Sequence, residues 1–163
     1  MRRLLFVLLM AACLGCSPLL GAPARIIKVL PHLVDAEGRH ALSPSLYERD
    51  AYQAHLRKNR KLIAGLRFDI QWRAPGKRDA KLKLRVQMLT SKGEPGRERI
   101  VEQAVRAPTR WSRWTRLMVA GRDWEEQGNV VAWRATLWDG DSLVAEQNSF
   151  LWRTSASVEA GTK

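Results

Sequence analysis

Residues 129–152, NVVAWRATLWDGDSLVAEQNSFLW, constrain the fold of this chain most, because two apolar-rich runs meet there across Asp139-Gly140. An Asp-Gly pair between alternating runs predicts a β-hairpin with a type I′ turn, whose central residues need positive φ, which Gly140 supplies at no steric cost. Trp133, Trp138 and Trp152, three of the seven tryptophans, lie in this stretch. Burying one Trp removes about 200 Å² from water, worth roughly 5 kcal/mol gross at 25 cal/mol per Å². The hairpin is therefore expected at the centre of the core.

Two further runs change side every residue. Leu66, Phe68, Ile70 and Trp72 alternate with Arg67, Asp69, Gln71 and Arg73, and Leu82, Leu84, Val86 and Met88 alternate with Lys81, Lys83, Arg85 and Gln87. Period two puts one set on each face of a sheet, so both runs predict half-buried strands. Residues 25–34, RIIKVLPHLV, predict a first strand at an edge or bulge, because Pro31 has no N–H to donate. Residues 97–107 and 111–119 predict two more strands, the former at an edge, and GRDWEEQGN (121–129) predicts a loop.

One segment breaks the β pattern. In SPSLYERDAYQAHLRKN, Ser45 and Glu48 have capping-box spacing and Tyr47, Ala51, Ala54 and Lys58 recur at helical spacing, which predicts one short helix ending near Asn59. Arg57, Lys58, Arg60 and Lys61 then cluster where a helix C-terminus favours cations.

About seven short strands with Gly, Pro and Asp turns predict an all-β fold, an antiparallel β-sandwich with this helix inserted near the N-terminus. On strand number, spacing and the WRATLW hairpin, residues 64–152 resemble exported bacterial β-sandwich domains of the immunoglobulin or fibronectin-III type. Two features depart from that type: no Cys pair can bridge the sheets, and both tyrosines, Tyr47 and Tyr52, lie in the helical segment.

The 163 residues predict an export segment at 1–24, a sandwich domain at 25–154 and a flexible tail at 155–163. Arg2-Arg3, the apolar residues 4–14 and Ala22-Pro23-Ala24 follow the order of a cleaved secretory signal peptide. Lipidation at Cys16 is the alternative, with Cys13 standing where a lipobox usually has Leu. An uncleaved anchor is a third, though Ser17 and Pro18 interrupt the apolar run. Cleavage after Ala24 removes both cysteines, leaving neither disulfides nor a Cys nucleophile.

The chain carries a net charge of +12, and +10 without Arg2 and Arg3. Such a balance suits acidic partners, or simply solubility. Three groups of residues are candidate sites. Arg67, Arg73, Lys81, Lys83 and Arg85 would form a continuous basic sheet face if their two strands were neighbours, with Asp69 diluting it. Trp111, Trp124 and Trp138 are candidate sugar platforms; RWSRWTR interleaves rings with cations, but period two would send Trp111 and Trp114 to opposite faces. His32, Asp35, Glu37 and His40 are potential metal ligands whose spacing matches no established motif, so no metal or other cofactor is expected. The chain also lacks a Gly-rich phosphate loop and a nucleophile elbow.

The expected function is a non-enzymatic binding or structural module, exported to the periplasm, envelope or exterior, whose partner is an anionic envelope component or a protein. Carbohydrate binding through Trp is the alternative, and a metal-dependent enzyme at residues 32–40 ranks below it. Nucleic acid ranks last, because export separates the chain from it, and membrane contact is expected only with a lipid on Cys16.

Overall fold

The computed structural model describes residues 23–74, 81–92, 97–106 and 111–152. Residues 1–22 of the expected export segment, with Cys13 and Cys16, the turn at 75–80 and the tail at 155–163 lie outside the described residues.

The alternating runs form β2 (Gly65–Arg73) and β3 (Leu82–Thr90), with apolar sides buried and polar sides half-exposed. They belong to different sheets. Beside them lie β1 (Arg25–Val34), β4 (Arg99–Ala104), β5 (Arg113–Ala120), β6 (Val130–Asp139) and β7 (Ser142–Asn148). One sheet runs β1-β2-β5 and the other β4-β3-β6-β7, every pairing antiparallel. Phe68, Ile70 and Trp72 from the first sheet and Leu84, Val86 and Met88 from the second belong to one core, joined by Leu117, Val119, Ala135 and Leu137. The described residues thus form an antiparallel β-sandwich of seven strands. Trp72 buries its ring because its indole N–H donates to Thr115 Oγ1 at 2.9 Å.

Two expectations about residues 129–152 need correction. The hairpin pairs Asp139 with Ser142, so its loop is Gly140-Asp141, and among the described residues only glycines have positive φ. Gly140, at φ 57°, is the first central residue, which is the requirement of a type II′ rather than a type I′ turn. The hairpin also enters the core through one strand only: β6 buries Ala132, Ala135 and Leu137, and Trp152 beyond β7 is buried. β7 is an edge strand without a fully buried residue, and Trp133 and Trp138 are only partly buried. The most buried tryptophan is Trp72, 2% exposed, on β2, which has a neighbour on each side.

Between β1 and β2 runs helix α1 (Leu46–Lys58), followed by a 3₁₀ turn at Arg60–Leu62. Ser45 makes no side-chain cap, and Tyr47, Ala51, Ala54 and Lys58 face solvent; Gln53 and Leu56 are the buried positions. The reason is polar. Gln53 Nε2 donates to the carbonyls of Leu33 (2.9 Å) and His40 (2.8 Å), while Oε1 accepts from the Leu33 N–H at 2.9 Å. One amide thereby satisfies both groups that edge strand β1 presents at Leu33, as a neighbouring strand would. Pro31, in the same strand, sits where an edge tolerates a missing donor.

Residues 121–129, expected as a loop, contain helix α2 (Arg122–Gln127). Gly121 and Gly128, at φ 60° and 73°, bracket this single short segment.

Gln53→Ala strands two backbone groups of β1 and is expected to cost about 1–3 kcal/mol in urea unfolding. Tyr47→Ala, on the exposed side of α1, should cost clearly less; equal losses would show that the helix docks otherwise.

Candidate functional site

The basic residues of β2 and β3 do not share a surface. Arg67 and Arg73 belong to the three-stranded sheet, whereas Lys83 and Arg85 belong to the other and Lys81 precedes β3, so the continuous basic face does not form. Most of these cations are also paired. Arg67 Nη2 lies 2.8 Å from Asp69 Oδ2, and Lys83 and Arg85 reach Glu102 on β4 at 3.3 and 2.9 Å. The hydrogen bond from Arg85 holds the Glu102 carboxyl below its ordinary range.

The tryptophans also separate. Trp138 lies beneath Arg85, whose guanidinium is 5.3 Å from its ring centre, and its indole N–H donates to Thr136 Oγ1. Trp111 precedes β5, so strand parity does not govern it; it is 82% exposed, and Trp114 on β5 is 52% exposed. Trp124, on α2, packs partly on the core and walls a cleft.

That cleft lies between the end of α1, the 3₁₀ turn, α2 and the start of β6. It consists of two hollows, of ≈ 460 and ≈ 660 Å³, sharing Arg60, Ile63, Trp124 and Asn129. Arg57 lines the first hollow and Lys61 and Lys92 the second, with Glu125 the acidic residue of the set. Lys92 Nζ donates to the Glu125 carbonyl at 3.0 Å. Arg57, Arg60 and Lys61 have no ion pair among the described residues. The basic cluster after the helix and Trp124 were each visible in sequence, but nothing in their spacing says that they meet.

A second polar group sits on the outer side of the three-stranded sheet. Of the four expected ligands, the two carboxylates serve the loop itself. Asp35 is buried and accepts from the N–H groups of Glu37 (3.1 Å) and Arg39 (2.8 Å), from Arg39 Nε (2.8 Å) and from the Tyr52 hydroxyl (2.5 Å). Burial alone would raise its pKa, but the hydrogen bonds from Tyr52 and Arg39 outweigh it and hold the carboxyl at about 2. Glu37 is exposed and pairs with Arg39.

The two histidines come together with a different carboxylate. Pairing of β1 with β2 sets Leu30 opposite Asp69 and His32 opposite Arg67, so His32 is a diagonal neighbour of Asp69. His32 Nε2 lies 3.8 Å from Asp69 Oδ2, and His40 reaches over from the loop to place its ring 5.0 Å from that of His32. Donor atoms of His32, His40 and Asp69 all lie within 4.8 Å of one another. Asp69 Oδ1 is buried with no hydrogen-bond partner among the described residues, and Arg116 Nε stands 3.7 Å away. Burial pushes both histidine pKa values down; Asp69 partly opposes this at His32, and Arg67 reinforces it at both.

These shifts share a sign. Both histidines titrate lower in the folded chain than their ordinary 6.5, so the unfolded chain takes up protons first and stability falls as pH drops below about 6.5. Asp35, at about 2 against 3.8, contributes stability above pH 4 that is lost as pH falls towards 2. Denaturation midpoints of the native chain should therefore fall between pH 7.5 and 5, and His40→Gln should flatten that limb; an unchanged slope would contradict the histidine assignment. Tyr52→Phe should move the lower limb to higher pH.

In comparisons with known proteins, the chain matches no family model, no curated protein and no solved structure.

Proposed function

We propose that this chain is an exported, non-enzymatic binding module of the cell envelope that holds an anionic ligand, an acidic saccharide, in the Trp124 cleft. The observation that carries this reading is the set Arg57, Arg60 and Lys61, three cations without ion pairs among the described residues, which line two adjoining hollows walled by Trp124. Like charges held together repel, and an anion between them relieves that repulsion while the ring offers a face to an apolar sugar surface. The sheet-face cations Arg67, Lys83 and Arg85 are answered by Asp69 and Glu102 and have less to offer a partner. A net charge of +10 without Arg2 and Arg3 draws anions to the whole exported domain, and the cleft gives them a place.

The finer fold assignment belongs to the same proposal. Strand orders β1-β2-β5 and β4-β3-β6-β7 suit an immunoglobulin-like sandwich of the fibronectin-III type, in which β4 joins the sheet of β3. In constant-type immunoglobulin domains the fourth strand instead sits with the first, second and fifth. Export is supported by the order of residues 2–24, and a lipid on Cys16 would tether the module to a membrane.

A second reading, binding of neutral carbohydrate, is favoured by the exposure of Trp111 and Trp114 around β5. The two readings differ in salt response. Co-sedimentation with insoluble acidic polysaccharide should fall steeply with salt and by about tenfold in an Arg57→Glu, Arg60→Glu, Lys61→Glu variant, while Lys81→Glu leaves it unchanged. Retention on neutral polysaccharide that ignores salt and the triple variant would overturn the anionic cleft in favour of the exposed tryptophans.

A further inference from the structure

We propose that His32, His40 and Asp69 form a binding site for a divalent transition metal of the zinc class, distinct from the cleft. Two imidazoles with one carboxylate are a donor set that suits zinc and its neighbours rather than calcium or magnesium, which take oxygen ligands. The three donors come from β1, the loop after it and β2, so tertiary folding rather than sequence proximity assembles them.

The geometry is close to that of a metal centre. Bonds of about 2.0–2.1 Å in tetrahedral arrangement need donors roughly 3.4 Å apart. The present spread of at most 4.8 Å closes by a modest shift of His40, which is half-exposed on its loop while His32 is held in the strand. Asp69 supplies an independent pointer: its Oδ1 is buried with no hydrogen-bond partner among the described residues, and such an oxygen calls for a cation, a proton or a water.

The surrounding arginines decide how the carboxylate binds. Arg67 donates to Oδ2 at 2.8 Å, the oxygen that also lies 3.8 Å from His32 Nε2, so the metal would either share Oδ2 with Arg67 or take Oδ1, and a ligating carboxylate that also accepts a hydrogen bond is an ordinary outer-shell arrangement. Arg116 approaches Oδ1 at 3.7 Å, but its side chain is 75% exposed and swings to solvent without losing a buried contact. Both cations lower the affinity without removing a donor. The fourth coordination position falls to water.

Binding would also tie elements together. The backbone carbonyl of His40 accepts from Gln53 Nε2 of α1, so a metal on its ring links the loop, the helix and the sheet. A ligand bound only to the folded state raises the unfolding temperature by mass action.

The test uses the untagged full chain carrying Cys13→Ser and Cys16→Ser, so that no thiol contributes, stripped with a chelator and titrated with Zn²⁺ by calorimetry. One Zn²⁺ per chain with a raised Tm is expected, and His40→Ala should weaken binding by about 100-fold or more, since loss even of outer-shell partners costs 10–100-fold. His40 is the decisive position because its half-exposed ring can be removed without opening the core, and Asp69→Asn should act in the same direction. His55→Ala, on the exposed side of α1, should bind as the parent does. Absence of saturable binding would overturn the site, as would binding that survives His40→Ala or is lost with His55→Ala.

Discussion

The packing of β2 on β3 across the interior is the constraint on which the rest of this molecule depends. Each strand alternates strictly, each has a hydrogen-bonded neighbour on both sides, and each gives the other its apolar face. Once those faces meet, the polar faces must point in opposite directions. The charges of β2 and β3 are therefore parted by the thickness of the sandwich, and each set is answered within its own sheet, by Asp69 in one and by Glu102 in the other.

Arg57, Arg60 and Lys61, which have no ion pair among the described residues, gather at one end of the sandwich, where α1 stops and α2 faces it. The same helix joins this end to the histidine group. Gln53 lines the cleft and bonds the backbone of both Leu33 and His40, so a shift of α1 would be felt in both places. A single amide, the buried polar position of a helix whose other buried residue is Leu56, thereby couples these two regions.

Local period was legible in the sequence, and partnership was not. Leu66 to Trp72 and Leu82 to Met88 announced their inward faces because alternation is a property of one strand. Whether those strands were neighbours depended on the order of strands in each sheet, which no alternation encodes. The helix face is not legible for a related reason: Tyr47, Ala51, Ala54 and Lys58 have the spacing of a packed stripe, but the edge of β1 needs a hydrogen-bonding amide, and Gln53 meets that need. Asp35 and Glu37 lay next to the histidines in sequence and looked like their partners, yet backbone amides and Arg39 claimed them, and Asp69 came from a strand more than 25 residues away. The Trp124 cleft had no sequence signature, since its two walls are far apart along the chain.

The way α1 covers the edge of β1 has a kinetic side. β6 and β7 are joined by two residues, whereas β1 meets β2 only after the chain closes a loop of 30 residues between Val34 and Gly65. Loop-closure entropy rises as the logarithm of length, which sets the second pairing back by about 2 kcal/mol relative to the first. β1 is thus placed after the β6–β7 hairpin, and its outer edge stays open until the helix swings in with Gln53. During that interval Leu33 offers an unpaired N–H and C=O to any extended chain nearby, so exposure to strand addition lasts from the placing of β1 until α1 docks on it.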